Sequence, residues 1–222
     1  MLPTVYSTIY PYFGLAGSLV VMAAVMISGL VYRGPNDERY SPSNHFISEL
    51  GQVGISRAAG VFNYGLIIAG VLLLPYLVGL ALVLNNVWAI PAAVGGVWAT
   101  LSCALVGVFP MNNIKTHIKA AVSYFRAGLV TMVLYSISIF AQPAGSEIIP
   151  KGMIWIGVAA SLVYAVFLKY PHRAAKRNTD MDVLDTSILV ERPKVWTAAV
   201  LEWAVLASTM LWFLATSLAI LV

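Results

Sequence analysis

Charge is what this chain has least of. Only 10% of its 222 residues are charged, against 60% hydrophobic, and mean hydropathy is +0.85. A soluble domain carries roughly a quarter charged residues, so the composition excludes an ordinary water-soluble fold. One cysteine, Cys103, excludes an intrachain disulfide, and no CxxC or Cys/His spacing suggests a structural zinc. Cys103 stands in an apolar run and reads as a small packing residue. No GxSxG nucleophile elbow is present. No cofactor or metal is expected, and together these absences lean against an enzyme. Lys and Arg are missing from residues 1–10, and the first apolar run is too long for a secretory signal, so a retained transmembrane helix is expected.

What is present is a series of apolar runs, at about 11–32, 60–84, 87–109, 117–141, 150–170 and 195–222. Each reaches the roughly 20 residues that cross a bilayer as a helix, and none has the alternation of an outer-membrane strand. The expected fold is all-α: a polytopic membrane protein, residues 1–222 forming one six-helix bundle. Pro75 is expected to kink the second helix, and the glycines dense in helices two and three to let them approach closely. The chain shows no internal repeat.

Of the thirteen Lys and Arg, eleven fall on the side of the bundle that carries residues 33–59, 110–116 and 171–194; Lys151 stands alone on the other side and Arg126 lies within a helix. The positive-inside rule then puts both termini outside and the long loops in the cytoplasm of an inner or plasma membrane. This placement explains the pI near 9.2 by topology and anionic lipid heads, with no nucleic-acid partner. Membrane lipids are the expected partners, and other membrane subunits are an alternative. Residues 171–194 turn from basic to acidic and read as an amphipathic segment on the membrane, a loop, or a docking site.

All three histidines, His45, His117 and His172, fall on the basic side. The first polar stretch is Ser41-Pro-Ser-Asn-His-Phe-Ile-Ser-Glu-Leu-Gly51. Ser41 or Ser43 suits an N-cap, Pro42 a first turn and Gly51 a stop, so the spacing predicts a short interfacial amphipathic helix with His45, Ser48, Glu49 and Gln52 on its wet face. The second is Gly107-Val-Phe-Pro-Met-Asn-Asn-Ile-Lys-Thr-His117, in which Asn113 or Thr116 caps helix four.

Several readings compete for these clusters. They close the end of the bundle through hydrogen bonds with each other and the backbone. Or they hold a lipid head group, with His45, Ser48, Arg57, Asn63, Asn113, Lys115 and His117 as candidate contacts. Or Ser48, Glu49 and His117 catalyse acyl transfer on lipid, for which His117 must arrive from elsewhere because Ser48 and Glu49 point about 100° apart. A metal held by His45, Glu49 and His117 is a variant of this third reading. Arg126 and Glu202 lie at matched depth inside helices four and six and are expected to pair, with an ion or proton relay as the alternative.

The motifs Asn44-His45, Ile47-Ser48-Glu49-Leu50-Gly51, Phe62-Asn63, Gly107-Val108-Phe109-Pro110 and His117 resemble the prokaryotic membrane family called domain of unknown function 998, over helices one to four. That family is distantly similar to eukaryotic six-helix proteins implicated in lipid remodelling and autophagy modulation. The resemblance implies a six-helix topology and a role with lipid, and no particular reaction. The family commonly has an acid between the Pro and His of the second motif; here Asn112 and Asn113 stand instead, which weakens acid–base or metal chemistry.

Overall fold

A computed structural model describes residues 4–177 and 192–222. Six helices account for most of them: α1 (Thr4–Val31), α2 (Ala59–Leu84), α3 (Ala89–Val108), α4 (Ile114–Phe140), α5 (Ile154–Arg177) and α6 (Thr197–Leu221). Three 3-10 turns, Ile47–Gly51, Met111–Asn113 and Lys151–Met153, interrupt the connections. All six helices contain a span long and apolar enough to cross a membrane. Their outward faces are as apolar as their inward ones: Leu30, Val71, Ile90 and Trp155 are all largely exposed. Such a surface is stable only against hydrocarbon, where a helix also satisfies its own backbone.

Each helix packs on the next, and α6 returns to α1, so the bundle closes as a ring. The α1–α2, α2–α3 and α3–α4 seams are more extensive than those made by α5 and α6. Small residues let α2 and α3 close on each other. A Cβ on Gly107 would fall on the backbone carbonyl of Asn63, and one on Gly70 would sit 2.7 Å from the carbonyl of Thr100. The α2 and α3 backbones touch at both places, as van der Waals packing between membrane helices requires. Gly107→Val is therefore expected to cost about 1–3 kcal/mol, because backbone rather than a flexible side chain blocks the added atoms. A denaturant titration of the purified chain followed by circular dichroism measures it, and an unchanged midpoint would contradict the contact.

The helix ends depart modestly from the apolar runs. α1 begins before Pro11 and α5 continues past residue 170 to Arg177. α2 runs unbroken through Pro75. The α2–α3 link is pinned to α4: Asn86 donates Nδ2–H to the Ser138 carbonyl and accepts the Ser138 hydroxyl, each at 2.9 Å. Gln142 closes the α4–α5 loop by donating to the carbonyls of Ile139 and Ile149 and accepting the amides of Ile148 and Ile149. The acidic part of the 171–194 segment, residues 178–191, lies outside the described residues.

Candidate functional site

The polar groups concentrate at the bundle end that carries residues 32–58. The helical stretch there is shorter than its spacing predicts, five residues of 3-10 turn from Ile47 to Gly51, with Phe46 rather than a serine in the N-cap position. Ser41 and Ser43 instead share a hydrogen bond at 2.8 Å within the preceding turn. The turn sinks into the bundle, with Ile47, Glu49, Leu50 and Gly51 buried. Gly51 is required by a close approach, since a Cβ there would fall on Oδ1 of Asn63. Asn63 in turn donates Nδ2–H to the Gly51 carbonyl at 2.9 Å.

Two carboxylates receive the free amides at the start of this turn. Glu49 Oε1 accepts the Phe46 N–H at 2.8 Å, and Glu202 Oε2, from α6, accepts the Ile47 N–H at 2.6 Å and also takes the Ser48 amide. They meet the need of a helix start for acceptors by side chains far apart in sequence.

Glu49 has a second partner. Arg192 grips it with both terminal nitrogens, Nη2 to Oε2 at 2.6 Å and Nη1 to Oε1 at 3.1 Å. Glu38 stands 3.9 Å from both Arg192 Nε and His45 Nε2. The Trp196 amide donates to the Ser43 carbonyl at 2.7 Å, so the whole cluster clamps the start of α6 to the first loop. Burial alone would disfavour the Arg192 charge, but its hydrogen bonds with Glu49 outweigh this and raise its pKa.

His45 is only 2% exposed, packed against the rings of Tyr32 and Tyr40 at 5.5 and 5.2 Å. The Tyr40 hydroxyl donates to the Phe46 carbonyl and accepts the Trp203 indole N–H, both at 3.1 Å. Burial lowers the His45 pKa, against the opposing pull of Glu49. The sign follows: the folded state takes the proton less readily than the unfolded chain, so this contribution to stability is whole above pH of about 6.5 and is lost as pH falls below it. The unfolding midpoint is expected to drop between pH 7.5 and 5.5, and less so in His45→Asn; equal drops would remove His45 as the source.

The second motif folds against the first. Asn112 donates to the Val53 carbonyl at 2.8 Å and accepts its amide at 2.9 Å, while Asn113 caps α4 by accepting the Thr116 amide. His117 Nδ1 lies 2.7 Å from the Phe109 carbonyl. A carbonyl only accepts, so Nδ1 carries the proton and the neutral ring keeps its Nε2 lone pair.

Behind the turn, at the centre of the ring, is a cavity of about 90 Å³ to which all six helices contribute. Its floor is Ser48, His117 and Glu202, and most of its wall is apolar, including Leu73, Leu77, Met132 and Phe213. Partway up, Tyr124, Tyr164 and Thr209 form a hydroxyl chain, with Thr209 donating to Tyr164 at 3.0 Å and Tyr164 to Tyr124 at 3.4 Å.

The chain matches, over residues 15–219, the family described as protein of unknown function (DUF998). It belongs to that family. Neither a curated protein nor a solved structure matches it.

In this DUF998 chain, two of the three proposed catalytic residues, Ser48 and His117, line one cavity, while Glu49 turns away to Arg192. Of the proposed head-group contacts, His45 and Asn63 are buried in protein contacts, and Arg57, Asn113 and Lys115 are exposed outside the cavity. Arg126 and Glu202 are not brought together: Arg126 is exposed on α4, and Glu202 is buried on the turn. Neither their depths nor their directions match: Arg126 lies about three turns into α4 and Glu202 in the second turn of α6. Among the described residues no three His, Cys, Asp or Glu are placed to hold a metal. Sequence reasoning missed Arg192 as the partner of Glu49 and Glu202 as the cap of the turn. Arg192 carried no signal beyond lying on the basic side, and an acid inside an apolar helix was the signal for Glu202.

Proposed function

We propose that this DUF998 protein is a lipid-associated membrane protein that holds one amphiphile within its bundle, the polar end against Ser48, His117 and Glu202 and the apolar end along the wall above. The observation that carries this reading is the gradient of the central cavity, with an acid, an imidazole and a serine at its floor and above them a mostly apolar wall that carries a few hydroxyls, from Tyr124, Tyr164, Thr209, Thr100 and Thr131. Ligand sites of this kind combine apolar walls with a few placed polar groups. A space of about 90 Å³ admits a stretch of one acyl chain rather than a pair. The eleven-to-one distribution of Lys and Arg supports an orientation with this floor toward the cytoplasm of an inner or plasma membrane.

Native mass spectrometry of the chain from mild detergent tests the proposal. The wild type should retain one amphiphile, and Ala121→Phe, which fills the cavity, should lose it while keeping its helical content. A wild type free of bound amphiphile, or an Ala121→Phe chain that retains it, sinks the reading.

A second reading, lipid modification, rests on one observation: Ser48 shares the cavity with His117, whose bond to Phe109 leaves Nε2 able to accept a proton. In that reading Glu202, not Glu49, is the carboxylate beside them. Membrane lipids identical in chains carrying wild-type, Ser48→Ala and His117→Gln sequences would eliminate it.

A further inference from the structure

Outside the cavity, one face of α4 carries charge into the membrane-spanning region. Lys115, Lys119 and Arg126 are all exposed. At 100° per residue they lie within an arc of roughly 40° on the same face. Beyond them that face becomes apolar and stays exposed, through Val130, Val133 and Phe140. The guanidinium of Arg126 has no acid within ion-pair distance among the described residues.

An unpaired arginine on a lipid-facing surface is costly, and such residues are satisfied by snorkelling or by a partner. Arg126 lies about 18 Å along the axis from Ile114 and about 10 Å beyond Lys119. Helical side chains lean toward the N-terminus, so its guanidinium reaches back toward the lysines. The surface between them is polar. Ser123 accepts the Trp98 indole N–H at 2.9 Å and shares a hydrogen bond with Ser102 at 2.8 Å, and Trp98 is 42% exposed there. The outer α3–α4 surface thus offers cations, then a hydroxyl and indole notch, then an apolar track.

We propose that this surface binds an anionic phospholipid, its phosphate drawn along Lys115, Lys119 and Arg126 and one acyl chain lying over Val130, Val133 and Phe140. Charge complementarity chooses the occupant. A second copy would set the same three cations against each other, and a zwitterionic lipid brings no net charge to offset them. The site is separate from the central cavity and stands or falls independently of it.

Trp98 gives a local probe. The full chain is reconstituted in phosphatidylcholine vesicles doped with brominated phosphatidylglycerol or brominated phosphatidylcholine, and the Trp98 signal is taken as the difference from Trp98→Phe. Quenching should favour the anionic lipid, and Lys119→Gln/Arg126→Gln should reduce that preference, by about fivefold for each cation lost. Lys115→Gln/Lys119→Gln, confined to exposed positions nearer the helix start, gives the same test should the Arg126 variant fail to reconstitute. Equal quenching by the two lipids in the wild type, or a preference untouched by both double variants, overturns the proposal. Relief of quenching by excess inorganic phosphate would assign the site to the free ion and overturn the lipid. Arg126 crosslinking to a carboxylate on a co-purified membrane protein, with no lipid preference, would overturn it in favour of a protein partner.

Discussion

Arg192→Ala is expected to destabilise the chain by about 3–5 kcal/mol, the largest single-residue effect at this end of the bundle. Glu49 is 1% exposed and Arg192 20%, so the carboxylate is the deeper partner and cannot be rehydrated where it stands. With the guanidinium gone, Glu49 keeps neutral partners, the Phe46 amide and the Tyr32 hydroxyl, with no positive charge to offset its own, and Glu38 nearby adds repulsion instead of relief. The reverse change is milder. Glu49→Gln leaves Arg192 near Glu38 and partly in water, and the glutamine oxygen still accepts from Phe46. Removing both charges with Glu49→Gln/Arg192→Met should recover much of the loss, since the penalty is an uncompensated buried charge more than a missing attraction. Denaturant midpoints of Glu49→Gln, Arg192→Met and Glu49→Gln/Arg192→Met, with Arg192→Ala beside them, test this as a double-mutant cycle. An Arg192→Ala midpoint equal to wild type, or a double variant no better than the single, would mean that the pair does not hold α6 to the first loop.

The spans were legible in the sequence because hydrocarbon imposes a length and a composition on any helix that crosses it. The helix ends were less so: α5 continues about two turns past its apolar run, into residues that a hydropathy criterion stops at. The 41–51 stretch shows the harder limit. Its caps and spacing describe an isolated helix, yet Ser41 and Ser43 bond each other and the turn starts at Ile47. The acceptors that decide this come from Glu202, 155 positions away, and Arg192 then occupies Glu49 from 143 positions away. Neither separation leaves a periodic trace. Arg126 differs, because its direction was readable. It shares the 3.6-residue face of Lys115, Lys119 and Val133, which turns away from the bundle, while Glu202 turns inward. Depth counted from the apolar runs suggested a pair, and azimuth, available from the same sequence, decides against it.

Glu202 carries two functions that substitution can separate. Its carboxylate caps the Ile47–Gly51 turn and also forms part of the cavity floor. Glu202→Ala is expected to cost about 2–4 kcal/mol, because the buried amides of Ile47 and Ser48 lose their acceptor and the cavity deepens. Glu202→Gln keeps one amide oxygen of nearly the same shape that still accepts a hydrogen bond, so its cost should stay near about 1 kcal/mol. If Glu202 only caps the turn, the glutamine chain should bind amphiphiles as the wild type does. If the carboxylate also reads the polar end of a ligand, Glu202→Gln should fold normally yet change which head groups are retained in native mass spectrometry. A glutamine variant as unstable as the alanine one would contradict the cap, because shape and hydrogen-bond acceptance are what the two substitutions do not share. The comparison is informative because this one side chain does both: it caps the turn and, with Ser48 and His117, lines the floor of the cavity behind it.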